Sequence, residues 1–226
     1  MAVVHGIAGE WARVKGSVTG LWPVFLGVAA AGFSVAVAFF ASAAWGSALF
    51  AVSVAATGAA LFGALHRIES YFKGARGEER VSGILKTLPD GYHVFNDFVA
   101  MGTHVDHVVV GPPGVFSVET KNWQGEVTVD DGYVLVDGSL PTRQPVAQAV
   151  KEAALVKSAL KRLGWDGDVT PVLAFASGSF RPKMAEVSGA VVMNASGLVP
   201  GFSGGRRILS DEEVERLASL MENNSR

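Results

Sequence analysis

The chain is 226 residues long, carries a formal net charge of −2 and contains no cysteine, which excludes disulfides, thiolate metal sites and a cysteine nucleophile. Hydrophobic residues make up 49% and charged residues 18%, with the apolar excess concentrated near the N-terminus; about 160 residues remain beyond it, enough for one domain with its own core. From His66 to Arg226, 17 Lys and Arg face 20 Asp and Glu, so the overall basic footprint of a dedicated nucleic-acid binder is missing, although a local basic patch is compatible with these numbers.

Between Lys15 and His66 there is no Asp, Glu, Lys, Arg or His. A spanning helix needs about 20 apolar residues, so two spans fit, Leu21–Ala41 and Trp45–Leu65, joined by a turn at Ser42-Ala43-Ala44-Trp45-Gly46. Trp22 and Trp45 stand near span ends, where amphipathic rings favour the interface, and Pro23 falls in the first turn of the first span. Gly27/Ala31 and Ala55/Ala59/Gly63 form small-residue ridges that predict a closely packed helical hairpin and offer a surface for homo-oligomers. Arg13 and Lys15 precede the spans, Arg67, Lys73 and Arg76 follow them, and the turn is uncharged. The positive-inside rule then puts both termini in the cytoplasm of a multi-pass protein of the cell (inner) membrane. Ala41-Ser42-Ala43 resembles a signal-peptide cleavage site, but the apolar run before it is long and a second span follows at once. The expected organisation is a cytoplasmic segment (1–20), a transmembrane hairpin (21–65), a cationic linker (66–76) and a soluble domain (77–226).

In the soluble part a helix is expected from Gly74 to Leu88, with Val81, Ile84, Leu85 and Leu88 as its apolar stripe and Pro89-Asp90-Gly91 ending it. Strands are expected at Tyr92–Asn96, Val105–Val110, Val115–Lys121, Glu126–Val129 and Tyr133–Val136, with a hairpin turn at Asp130-Asp131-Gly132. A second helix runs from Pro145 to Leu163 and stops at Gly164. Val172–Ala176 and Ala190–Met193 read as buried strands, Ser177–Lys183 and Pro200–Arg206 as loops. Ser210 with Glu213 forms a capping box that opens a final helix reaching Met221.

The stretch from Val105 to Lys121 carries the chemistry. It reads as a hairpin whose four-residue loop, Gly111-Pro112-Pro113-Gly114, pairs Val110 with Val115 and sets Asp106 opposite Glu119, with Lys121 on the face of Glu119. Two carboxylates directly across a ladder stand about 5 Å apart and repel. A divalent cation such as Mg²⁺ between them removes the repulsion, whereas a structural salt-bridge cluster is the alternative reading of the same residues. Glu78 continues the apolar row of Val81, Leu85 and Leu88 and so points inward, while Glu79 shares the polar side. His104 and His107 flank Asp106, and alternation sends His107 to the other face, in a structural role. Gly201–Gly205 lacks a P-loop lysine pattern, no G-x-S-x-G elbow occurs, and Arg206-Arg207 reads as a solvated pair.

Lys73-Gly74-Ala75-Arg76-Gly77-Glu78, then Val105-Asp106-His107-Val108-Val109-Val110, then Gly114-Val115-Phe116 and Glu119-Thr120-Lys121-Asn122, resemble the NERD (nuclease-related) domain, grouped with the PD-(D/E)XK nuclease fold. The resemblance covers Phe72 to Leu163. It implies an α/β domain with a mixed central sheet flanked by helices, restriction-endonuclease-like, following the two-helix transmembrane hairpin. It implies Asp106 and Glu119 as ligands of Mg²⁺ or Mn²⁺, Glu78 as the helical acid completing the metal set, Lys121 as the catalytic lysine and Gln148 as the helix glutamine. Gln144-Pro145 stands where the family often has Asn-Pro. The expected activity is hydrolysis of phosphodiesters in nucleic acid, DNA ahead of RNA, at the cytoplasmic face of the lipid bilayer. The acidic balance of the domain motivates the competing reading, a catalytically inactive membrane-tethered module that binds nucleic acid or a protein. A third reading makes the hairpin itself the working part, as an assembly device.

Overall fold

A computed structural model describes residues 1–224, which divide into two compact units: Trp11–Lys73, and Met1–Glu10 together with the chain from Gly74 onward.

The first unit consists of most of α1 (Glu10–Phe40) and the larger part of α2 (Ala43–Leu85). Both helices are long and apolar enough to cross a membrane, and only 6% of the most apolar window of each is buried. Phe25, Phe33, Phe39, Phe40, Trp45 and Phe62 are all exposed, the opposite of a soluble core helix. The break between the helices is only Ala41-Ser42, so Ala43 to Gly46 are already helical, not part of a five-residue turn. Pro23 lies inside α1, because the helix starts eleven residues earlier than an apolar run can indicate; its ring leaves the Thr19 carbonyl without the i+4 amide partner.

Close packing of the hairpin uses the expected ridge in the first helix, where Gly27 and Ala31 are half-buried, and a different one in the second. A Cβ on Gly27 would stand 2.1 Å from Thr57 Oγ1, one on Gly20 2.6 Å from Ile68 Cγ1 and one on Gly16 2.5 Å from Tyr71 Cβ, while Gly63 faces open space. In α2 the buried or half-buried row is Ser53, Thr57, Ala60, Ala64 and Ile68, and Ala55 and Ala59 are exposed. Spacing alone identifies small residues but not which of several possible rows turns to the partner. Thr57 Oγ1 donates to Ser53 O at 2.7 Å and Ser34 Oγ to Ala31 O at 2.6 Å, so these hydroxyls satisfy themselves within their own helix.

The second unit is mixed α/β. Its strands are β1 (Val3–His5), β2 (His93–Ala100), β3 (Thr103–Gly111), β4 (Gly114–Lys121), β5 (Glu126–Asp130), β6 (Tyr133–Val136), β7 (Val169–Phe175), β8 (Ser179–Arg181), β9 (Met184–Val187) and β10 (Ala190–Asn194). Seven of them form one sheet in the order β1-β2-β3-β4-β7-β10-β9, and β6-β5-β8 form a second. The β3–β4 register is the expected one from Val110–Val115 back to His107–Val118, where the ladder ends one step before Asp106 and Glu119; at the other end Gly111 also pairs with Gly114, leaving Pro112-Pro113 as the whole loop. Helix α3 (Pro145–Arg162) makes the crossover between β4 and β7, which are parallel.

Alternation along β3 sends Val108 and Val110 to α3 and to α5 (Asp211–Asn224), where they meet Val156, Leu160, Leu217 and Met221. Val109 faces the other side, with Val81 and Leu85 from the end of α2, Leu88 from the turn that follows it, and Leu198 and Phe202 from α4 (Leu198–Ser203). Each fully buried Val or Leu contributes about 1.5–3 kcal/mol. The capping box forms as expected: Ser210 N donates to Glu213 Oε2 at 2.9 Å and Glu213 N to Ser210 Oγ at 3.2 Å.

Several features depart from the expected elements: residues 66–76, expected as a linker, are helical and continuous with the helix expected from Gly74, because nothing in them breaks α2, and β9 forms where no strand is expected. Ser177–Lys183 contains β8, and Pro200–Arg206 overlaps α4. Residues before the first apolar helix join the sheet: β1 runs parallel to β2, with Val3 opposite His93 and His5 opposite Phe95, and Val3 N donates to Tyr92 O at 2.9 Å. The N-terminal segment is therefore a structural edge of the α/β unit.

Candidate functional site

The site begins where helix α2 meets the end of β4. Gly77 lies against Asn122: a Cβ there would come within 2.6 Å of the Asn122 Cβ, so only a bare Cα allows this approach. Two separate pieces of the sequence motif are thus in contact, and Glu78 follows directly. It is half-buried and Glu79 is exposed, matching the helical stripe. On β4, Glu119 is 3% exposed. Its register partner on β7 is Leu173, and its side chain lies on the face covered by α3.

Lys121 Nζ donates to Glu119 Oε1 in a direct ion pair and to Gln148 Oε1 at 3.0 Å. Gln148 Nε2 in turn donates to Glu152 Oε1 at 2.9 Å. Asp106 Oδ2 accepts the Thr120 backbone N–H at 2.8 Å. All five residues singled out from the sequence, Glu78, Asp106, Glu119, Lys121 and Gln148, therefore lie in one neighbourhood, linked by hydrogen bonds or by charge.

The electrostatics are those of crowded acids. Burial first, then Glu119 and Glu78, push the Asp106 carboxyl well above the usual range against the pull of the Thr120 N–H. Glu78 is pushed up to about 7, by burial and then by Asp97 and Glu119, with a hydrogen bond from the Gly9 backbone and the Lys121 charge opposing. The N-terminal segment thus reaches the site as well as the sheet edge. Glu152 is pushed up to about 8, by burial and then by Glu119.

Glu152 and Asp97 are the site acids that sequence reasoning missed. Glu152 is 5% exposed, and its signal was a position four residues after Gln148 on the same helix face. Asp97 sits between the register pairs Asn96–His107 and Phe98–Val105, across from Asp106, with a φ of 54°. His104 Nδ1 is 2.8 Å from Asp97 Oδ1. His107 is fully buried, its Nδ1 donating to Asn96 Oδ1 at 2.8 Å; burial lowers its pKa to about 3, so it stays neutral, on the far face. Arg207 donates to Leu209 O and pairs with Asp211 at the start of α5, away from the acids.

Residues 73–176 match the family model of the nuclease-related domain, NERD. The chain carries a NERD domain. The matched stretch contains the end of α2, strands β2 to β7, helix α3 and every site residue named above except Gly9; β1 and everything from β8 onward lie outside it. An uncharacterized protein of Bacillus anthracis is 40% identical over 60 residues, a stretch covering 24% of this chain and 28% of that protein. No solved structure matches.

The NERD residues fit a hard cation by donor type, since Glu78, Asp106 and Glu119 offer carboxylate oxygens beside Lys121, whose charge opposes theirs. Among the described residues, however, no three carboxylate or imidazole groups are gathered at ligating distances. Lys121 takes one Glu119 oxygen and Thr120 one Asp106 oxygen.

Proposed function

We propose that this NERD protein is a divalent-metal-dependent nuclease, hydrolysing phosphodiester bonds of nucleic acid at the cytoplasmic face of the cell membrane. The observation that carries this reading is the crowding of Glu78, Asp106, Glu119 and Glu152 around one lysine inside a NERD domain. Buried acids that raise one another's pKa cost stability, and such clusters gather at functional sites. Glu78, Asp106 and Glu119 would hold Mg²⁺ or Mn²⁺, which when bound polarises a phosphate and lowers the pKa of a water. Lys121 stabilises the charge that develops on the phosphate oxygens, and Gln148 orients the Lys121 ammonium. DNA is the expected polymer ahead of RNA.

The membrane part of the reading rests on two observations. The exposed aromatic and aliphatic side chains of α1 and α2 suit lipid, or a second copy of the hairpin. Residues on both sides of the hairpin belong to one folded unit, since β1 pairs with β2, and this supports an even number of crossings between them. Arg13, Lys15, Arg67, Lys73 and Arg76 then favour the cytoplasm for that unit.

The test uses the full chain in detergent, with labelled single- and double-stranded DNA and RNA and added Mg²⁺ or Mn²⁺. Metal-dependent cleavage that Glu119→Ala abolishes, with the fold retained, supports the reading; cleavage unchanged in that variant overturns it. The acidic balance of the domain and the ungathered ligands favour a second reading, a tethered binding module without activity. Nucleic-acid binding by the wild type without metal binding or cleavage would decide for it.

A further inference from the structure

Glu152 carries a role that neither the family motif nor the metal set assigns. Its Oε1 accepts from Gln148 Nε2 at 2.9 Å. Its Oε2 is buried and finds no donor among the described residues, while the Glu119 side chain lies within hydrogen-bonding reach. A carboxyl oxygen left this way costs stability, so a purely structural role is a poor account of it.

The amide of Gln148 explains what the carboxyl does. An ammonium only donates, so Lys121 must face Oε1 of Gln148. The amide then presents Nε2 on its other side, and the Glu152 carboxyl oxygen is the acceptor that holds it there. With Glu152 in place both ends of the amide are held, Oε1 by the Lys121 ammonium and Nε2 by the carboxyl; without it only the Lys121 contact is left in this chain to hold the Gln148 side chain. We propose that Glu152 is a positioning residue: through Gln148 it fixes the Lys121 ammonium beside Glu119. The consequence for catalysis rests on the nuclease reading above, whereas the mechanical link from Glu152 to Lys121 does not.

A double-mutant cycle between Glu152→Ala and Lys121→Met in the full detergent-solubilised chain tests both. In thermal unfolding without metal, the two substitutions are expected to be non-additive by about 2–4 °C. In cleavage, Glu152→Ala is expected to lower kcat about 10- to 100-fold with KM nearly unchanged, and to have no further effect in the Lys121→Met background. Glu152→Gln keeps an acceptor for Gln148 Nε2 and should recover most of the loss in both readouts. Additive thermal shifts, or a Glu152→Gln variant as impaired as Glu152→Ala, overturn the proposal. A wild type that cleaves nothing removes the nuclease reading alone, since the thermal cycle and the glutamine rescue still decide the positioning role.

Discussion

Two polar clusters sit on the same sheet and are built on opposite principles. At the β1–β2 edge, His5 Nε2 is 3.2 Å from His93 Nδ1, His93 Nε2 is 3.1 Å from Glu215 Oε1, and His5 stacks on Phe95 with ring centroids 4.3 Å apart. Donors meet acceptors there, and Glu215 is 66% exposed. At the end of β4 and β3, acid meets acid in a buried place with one ammonium among them. The edge cluster holds a strand in place at little cost. The acid cluster lowers the stability of the fold, an arrangement that gathers at functional sites more than at structural ones.

The largest expected effect comes from relieving that conflict. Glu119→Gln should lower metal-dependent cleavage by about 100- to 1,000-fold while leaving the Tm of the metal-free chain unchanged or higher. A large fall in Tm would place Glu119 with the edge cluster, as a structural residue.

The pH dependence should separate the clusters next. Glu78 and Glu152 titrate near 7 and 8 in the fold against a reference of 4.5, so the folded state holds protons that the unfolded chain releases first. Their contribution is fully present below about pH 4.5 and is lost as pH rises through about 7 to 8. Thermal melts of the metal-free chain should show Tm falling across that window, with Mn²⁺ restoring it at the alkaline end. A Tm flat from pH 5 to 8 would contradict the acid crowding.

Smaller effects belong to the edge. Val3→Pro removes the N–H that donates to Tyr92 O and, with Val3 exposed, little side-chain burial. It should cost about 1 kcal/mol by thermal melt, with Val3→Ala as the control near zero. Smallest of all, Glu215→Ala should change stability by less than about 1 kcal/mol and leave cleavage untouched.

The acid cluster was largely legible in the sequence, because two valine runs bracketing Gly-Pro-Pro-Gly fix one register and the register fixes which side chains meet. Glu78 was legible through helical period. Glu152 was not: between Lys151 and Ala153 it reads as an ordinary exposed helix residue, and only the fold of α3 onto β4 buries it. Three residues of β1 are too few to register as a strand, and their partner lies some ninety residues away. In the second helix of the hairpin the small residues were visible but the row facing the partner was not, because an alanine-rich helix offers several rows of similar composition.

The central claim is that the buried acids form a cation site, and calorimetric titration of Mn²⁺ into the full chain, wild type against Asp106→Ala, tests it most directly. The account predicts saturable binding by the wild type that strengthens as pH rises through about 7 to 8 and is lost in the variant. No binding by a folded wild type, with or without nucleic acid present, or binding unchanged in Asp106→Ala, would contradict it.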